Sequence, residues 1–260
     1  MPINCDLMKN ILLLTSTIKP NSNQPQLKLT NPQERLEDYK NALKFYTEQL
    51  HKGVLDGIVF VDNSGFDLKC LSDEFLSKDI EWLSFFGLDY PSDYHRGYGE
   101  FKLIDYAFSN SSTLMRLNQN DIIWKVTGRY IVKNLESVLK YAPMQFDLYC
   151  DIKNNWVDMG VMAWSFAGYE RLIKDMSENF KTGMPPELIM GKLIEDQAKS
   201  RYCVVTSYYW MPLVIGRRGF DGGQFQGKLT FLKFLLLSCV NWLRLPFRKS
   251  FTKRTKLEDK

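Results

Sequence analysis

Histidine is almost missing from this chain: two residues, His51 and His95, stand against five cysteines that never occur as C-x-x-C. That combination leaves no basis for a Cys/His zinc centre, and thiols as scattered as Cys5, Cys70, Cys150, Cys203 and Cys239 fit a reducing compartment. No uncharged apolar run approaches the roughly twenty residues of a membrane span. The first apolar run, over 11–18, lacks a small-residue cleavage pattern and is expected to be a strand, not a secretion signal. There is no internal repeat and no low-complexity segment. The net charge is only +4, and it is unevenly placed: residues 228–260 hold nine Lys/Arg against two Asp/Glu, leaving the body at 25 basic and 28 acidic groups, or −3. A mildly acidic body argues against nucleic acid as a partner.

What remains is ordinary globular composition, with 45% hydrophobic and 25% charged residues in 260, enough for a substantial core. Strand-type runs fall at 11–18, 58–62, 80–86, 122–126, 145–150, 156–165 and 202–206. Helical patterns lie between them. The first begins with Asn31 as cap, Pro32 in the first turn and Glu34 able to reach back, and carries Leu36, Tyr39, Leu43, Tyr46 and Leu50 on one stripe. Further helices are expected from Gly97, through 131–141, around 166–176 and starting at Pro185-Pro186-Glu187. This alternation predicts an α/β fold with a mostly parallel central sheet covered on both faces. A boundary near Gly227 divides residues 1–226 from a tail, 227–260.

In such folds ligands bind beyond the carboxyl ends of the strands. Three strand ends carry suitable chemistry: Thr15-Ser16-Thr17, Asp62-Asn63-Ser64-Gly65, and Lys125-Val126-Thr127-Gly128-Arg129. Hydroxyls and backbone N–H groups can hold phosphate or ribose, an acid or amide can read a base or sugar, and cations can neutralise a diphosphate. Asp62-Asn63-Ser64-Gly65 reads equally as a plain turn. Gly99 and Glu100, in the run Arg96-Gly97-Tyr98-Gly99-Glu100, begin a helix, where Glu100 reads as a donor contact or as an acid favoured by the helix dipole.

Taken in order, the segments IVFVDNSG (58–65), GYGEFKLIDYAFSNS (97–111), IIWKVTGRY (122–130), WVDMGVMAWSFAGYERLI (156–173) and PPELIMGKLIED (185–196) resemble the glycosyltransferases of bacterial capsule and lipopolysaccharide gene clusters. The resemblance spans about residues 11–226. It implies a single Rossmann-like domain of the GT-A type and a nucleotide-sugar donor. Many GT-A enzymes bind a divalent metal through Asp-x-Asp at the strand end where this chain has Lys125-x-Thr127-Gly128-Arg129, so Lys125 and Arg129 are expected to stabilise the departing phosphate instead. Metal use stays open, with Asp147 and Asp151 as fallback ligands or a strand-end turn. An inverting transfer needs a carboxylate base. Asp158, in an otherwise apolar strand, and Glu187, behind two prolines at a helix start, are the candidates, and Glu187 reads equally as a dipole-favoured acid. The basic loop from Gly216 to Gly223 reads either as a cover for donor phosphates or as a connector.

In the tail, residues 229–245 place Thr230, Lys233, Asn241 and Arg244 on one narrow helical face and Phe231, Phe234, Trp242 and other apolar residues elsewhere. That pattern predicts an amphipathic helix lying in a membrane interface, with Arg248 and Lys249 after Pro246 meeting anionic lipid. The alternative is a helix packed on the body. The combined expectation is a cytoplasmic enzyme, peripheral on the inner face of the membrane, that moves a sugar to a lipid-linked glycan. Its rivals are a nucleotidyltransferase and a non-catalytic membrane-docked binding protein. Nucleotidyl transfer would call for a glycine-rich basic loop after the first strand, where residues 15–19 hold one lysine and no glycine.

Overall fold

A computed structural model describes residues 8–21, 27–197, 203–219 and 221–224. The tail lies outside these, and with it the expectations for Phe231, Phe234, Trp242, Arg244, Arg248 and Lys249. Among the described residues no helix is long and apolar enough to cross a membrane.

The chain forms a single α/β domain around one mostly parallel sheet. In chain order the elements are β1 (Asn10–Ser16), α1 (Pro32–His51), β2 (Gly57–Asp62), α2 (Lys69–Ser72), β3 (Ile80–Ser84), α3 (Gly97–Asn110), β4 (Ile122–Thr127), β5 (Ile131–Val132), α4 (Leu135–Lys140), β6 (Leu148–Tyr149), β7 (Ile152–Lys153), β8 (Trp156–Val157), β9 (Val161–Ser165), α5 (Phe166–Gly168), α6 (Pro186–Gln197), β10 (Val204–Val205) and β11 (Val214–Ile215). The central sheet runs β10-β6-β9-β4-β1-β2-β3. β1 pairs in parallel with both β2 and β4, β2 with β3, and β10 with β6, while β9 runs antiparallel to its two neighbours. The order reverses at β1, whose two sides are taken by β2 and β4. That is the switch point where a crevice opens in open α/β sheets.

Side chains alternate across the sheet as the pleat requires. Leu12, Leu14, Ile58, Phe60, Trp124 and Val126 join the stripe of α1 on one face. Ile11, Leu13, Val59, Val61 and Ile123 meet Phe101, Ile104 and Phe108 of α3 and Met190 of α6 on the other. Each fully buried large apolar side chain contributes about 1.5–3 kcal/mol, so the two half-cores hold the helices in place. Asn31 caps α1 through its side-chain oxygen, which accepts from the N–H groups of Gln33 and Glu34. Glu34 does not reach back; its Oε2 accepts from Arg217 Nη1 at 2.9 Å.

Three expected elements take another form. The helix proposed for 131–141 begins only at Leu135, because Ile131–Val132 pairs with β11 and the Asn134 side chain is bound to Met211 and Leu213. The single strand over 156–165 is split by a turn in which Asp158 Oδ1 accepts from the Gly160 N–H at 2.9 Å. The helix around 166–176 shrinks to α5 and one π-turn over Tyr169–Ile173. There Gly168 backs directly onto the Asp147 carbonyl, leaving no room for a Cβ.

Candidate active site

A cleft of about 660 Å³ opens at the carboxyl edge of the sheet, over the switch point between β1 and β4. Because β9 is reversed, the turn leading into it, Asp158 to Gly160, reaches this same edge. The cleft therefore takes residues from the ends of β1, β2 and β4, from the start of β9, and from the N-terminal turns of α1, α3 and α6.

Four arginines line it, Arg35, Arg96, Arg129 and Arg218, of which Arg35 and Arg129 are buried. Arg35, in the first turn of α1, is 4% exposed; its Nε donates to the Thr17 carbonyl at 2.6 Å and its Nη1 to the Leu29 carbonyl at 3.0 Å. Burial lowers its pKa from the ordinary arginine value, and the nearby Arg129 adds to the effect. Arg129 is 7% exposed, its Nη1 donates to the Arg217 carbonyl at 2.5 Å, and its Nε is buried without a hydrogen-bond partner among the described residues. Neither Arg35 nor Arg129 makes an ion pair among the described residues, and neither do the carboxyls of Asp158 and Glu187 in the same cleft. A cleft lined by both guanidiniums and carboxyls suits ligands that carry both phosphate and hydroxyl groups.

The acids are tuned upward. Burial raises the pKa of Asp158, with Asp151 adding to it and the Gly160 N–H and Lys125 opposing it. Burial also raises Glu187, helped by Glu100 and opposed by Arg96 and Lys125. His95 lines the cleft with its pKa pushed down to about 4, first by burial and then by Arg96, so its ring is neutral near pH 7. Its Nδ1 accepts from the Gly97 N–H at 3.2 Å, which leaves the proton on Nε2.

Of the residues expected from the sequence, Thr15, Ser16, Thr17, Asn63, Glu100, Thr127, Arg129, Asp158 and Glu187 line the cleft together. Others do not, and the reasons are physical. Lys125 is 1% exposed, standing in the sheet where the alternation calls for an apolar side chain facing α3. Its ammonium pairs with Glu100 and donates to the Met159 carbonyl at 2.5 Å, so it lies beneath the cleft and is not a direct donor contact. Asp62 is fully buried and saturated: Ser16 Oγ, the Ile18 N–H, and the Ser64 N–H and hydroxyl all donate to it. It fastens the β1 and β2 loops to each other. Gly128 and Gly99 permit close packing, the first against the Thr15 carbonyl and Tyr39, the second against Tyr90. The fallback metal pair does not converge. Asp147 is held by Arg171 and the Cys203 N–H away from the cleft, while Asp151 lines it, paired with Lys153 at 2.8 Å. Among the described residues there is no group of three or more potential metal ligands.

The sequence reading overlooked Arg35 and Trp156. Arg35 left a signal: a cation in the first turn of a helix opposes the dipole, and an anionic ligand would offset that cost. Residues 216–219 of the basic loop form a strap over the α1 side. Arg217 reaches Asp38 at 3.0 Å and Glu34 at 2.9 Å, and the Gly219 carbonyl accepts from Lys28 and Leu29.

No family model matches the chain, and no curated protein does. Solved structures resemble it in part. A provisionally named nucleotide-diphospho-sugar transferase from Desulfovibrio desulfuricans is 12% identical over 77% of this chain and 80% of its own, with a TM-score of 0.46. An inositol-1-phosphate CTP transferase from T. maritima is 11% identical over 76% and 84%, with a TM-score of 0.43. A 4-diphosphocytidyl-2C-methyl-D-erythritol synthase is 9% identical over 88% and 98%, with a TM-score of 0.42. At such identities and scores none of these likenesses assigns an activity to the chain.

Proposed function

We propose that this protein is a glycosyltransferase that takes its sugar from a nucleotide-sugar donor. The observation that carries the reading is the cleft's charge arrangement: Arg35 and Arg129 share it with Asp158 and Glu187, and among the described residues none of the four makes an ion pair. The guanidiniums suit a diphosphate, and Arg129 Nε is a buried donor that a phosphate oxygen would satisfy.

In an inverting displacement the acceptor oxygen attacks the anomeric carbon as the bond to the diphosphate breaks. The bonding pair leaves with the phosphate, next to Arg129, and the acceptor proton passes to a carboxylate. Burial raises the pKa values of Asp158 and Glu187 from the ordinary carboxylate value, the direction that strengthens a base. Lys125 acts from below, holding Glu100 and the Met159 carbonyl, and through Met159 the turn that carries Asp158. A lipid-linked glycan acceptor and attachment to an anionic membrane surface belong to this reading through the basic tail.

One observation favours a second reading, nucleotidyl transfer. The first loop, with Lys19 as its single cation, gains another in space, since Arg35 Nε donates to the Thr17 carbonyl directly after β1. A product screen separates the two. The full chain is incubated with common nucleotide sugars, and separately with nucleoside triphosphates plus sugar 1-phosphates, with and without EDTA. Release of nucleoside diphosphate from the sugar nucleotides supports glycosyl transfer. Pyrophosphate release in the second arm overturns it in favour of nucleotidyl transfer, and no turnover or nucleotide binding in either arm overturns both.

A further inference from the structure

Trp156 is 47% exposed although it lines the cleft, and among the described residues it stacks on no other ring. It belongs to the β7–β8 hairpin, whose two turn residues, Asn154 and Asn155, have φ of 52° and 62°. Consecutive left-handed residues make the tight turn whose twist matches that of the paired strands, so the hairpin is a stiff ribbon. It is also clamped from behind. Gly191, inside α6, lies so close to the Asn155 carbonyl that a Cβ there would come within 2.1 Å of the oxygen. A glycine in a helix interior costs about 1 kcal/mol relative to alanine, and here it brings the ribbon hard against α6. A half-exposed indole, unlike a core tryptophan, is thus fixed at the mouth of the cleft.

Its neighbours are polar. The same ribbon begins after Asp151, 5% exposed and paired with Lys153, and ends at Asp158, and all three line the cleft. An aromatic face beside carboxylates is the chemistry that holds a pyranose: the ring's C–H face packs on the indole and its hydroxyls donate to the acids. Resting on the glycosyltransferase reading, we infer that Trp156 is the stacking platform of an acceptor subsite for a pyranoside, with Asp151 and Asp158 as hydroxyl acceptors. The position argues for the acceptor over the donor sugar, because Trp156 stands at the solvent-facing rim and the guanidiniums lie at the switch point.

The test uses saturation-transfer NMR on the full chain, with and without a nucleoside diphosphate. The probes are methyl glycosides of glucose, galactose, N-acetylglucosamine and rhamnose, with nucleotide sugars and their parent nucleoside diphosphates as the donor arm. At least one glycoside is expected to bind saturably. Trp156→Ala should weaken it about tenfold while Trp156→Phe retains most of the affinity. Equal glycoside binding in Trp156→Ala, or no glycoside binding at all, overturns the subsite. Loss confined to nucleotide sugars overturns its assignment to the acceptor. Failure of the donor arm alone, with glycoside binding intact, strikes the glycosyltransferase reading and not the stacking platform.

Discussion

Lys125 and Glu100 form an ion pair across the interface between β4 and α3, with the lysine almost wholly buried between Leu13 and Met162 in the sheet. Removing one partner of such a pair leaves the other desolvated and alone. Lys125→Met should cost about 3 kcal/mol, the low end for a buried pair because Glu100 keeps some contact with water. The double variant Lys125→Met/Glu100→Gln should lose clearly less than the sum of the two single changes. Urea unfolding of all four proteins measures this, and simple additivity would show that the pair is not coupled.

Arg129→Ala removes a buried guanidinium from the cleft while leaving the apolar half-cores untouched. Nucleoside diphosphate affinity should fall on the order of tenfold or more, as for loss of a charge-assisted hydrogen bond. Arg129→Lys should recover only part of it, since an ammonium lacks the planar fork. Calorimetry at low salt decides the matter. Unchanged affinity in Arg129→Ala would remove this residue from the donor site.

Two partly buried groups outside the usual ranges give opposite pH responses. Asp105 accepts from the Tyr169 hydroxyl at 2.9 Å, yet burial pushes its pKa up to about 6. The native state then binds more protons than the unfolded chain between roughly pH 4 and 6, so this group's contribution to stability falls as pH rises through that window. His95, pushed down to about 4, does the reverse: its native state binds fewer protons, and stability is lost as pH falls from the ordinary histidine range toward 4. Asp105→Asn should therefore be more stable than the parent by about 2 kcal/mol near neutral pH, an advantage that vanishes near pH 4. Unfolding midpoints across that range test it; a pH-independent difference would contradict the assignment.

Gly191→Ala sets two effects against each other. Helix propensity alone predicts a gain of about 1 kcal/mol. The 2.1 Å approach to the Asn155 carbonyl predicts a loss of about 1–3 kcal/mol, because backbone must move. The loss is expected to win, lowering the melting temperature and weakening glycoside binding together. A stabilised variant would mean that the hairpin does not rest on α6.

The central strands and the first helix were legible because their signals are local. The capping Asn31, Pro32 and the stripe from Leu36 to Leu50 lie within one segment, and β1, β2 and β4 are continuous apolar runs. The errors came from partners distant in sequence. Residues 131–132 pair with β11, some eighty positions on, and nothing local foretells that. Among site residues, the charge of Lys125 was visible, but its direction depends on sheet register and on the placement of Glu100. Asp62 looked like a ligand group because sequence shows a carboxylate without showing the five donors that occupy it. Arg35 was masked by its place in an amphipathic helix, where a polar residue is expected to face water.

The reversal of β9 has a consequence for how substrate range can change. It makes the hairpin and turn over 151–160 a rim of its own, which enters the sheet through β9 beside β4, rests on α6, and contains neither Arg35 nor Arg129. On the proposed reading, substitutions there would retune which acceptor is admitted while the guanidiniums proposed to hold the donor stay the same.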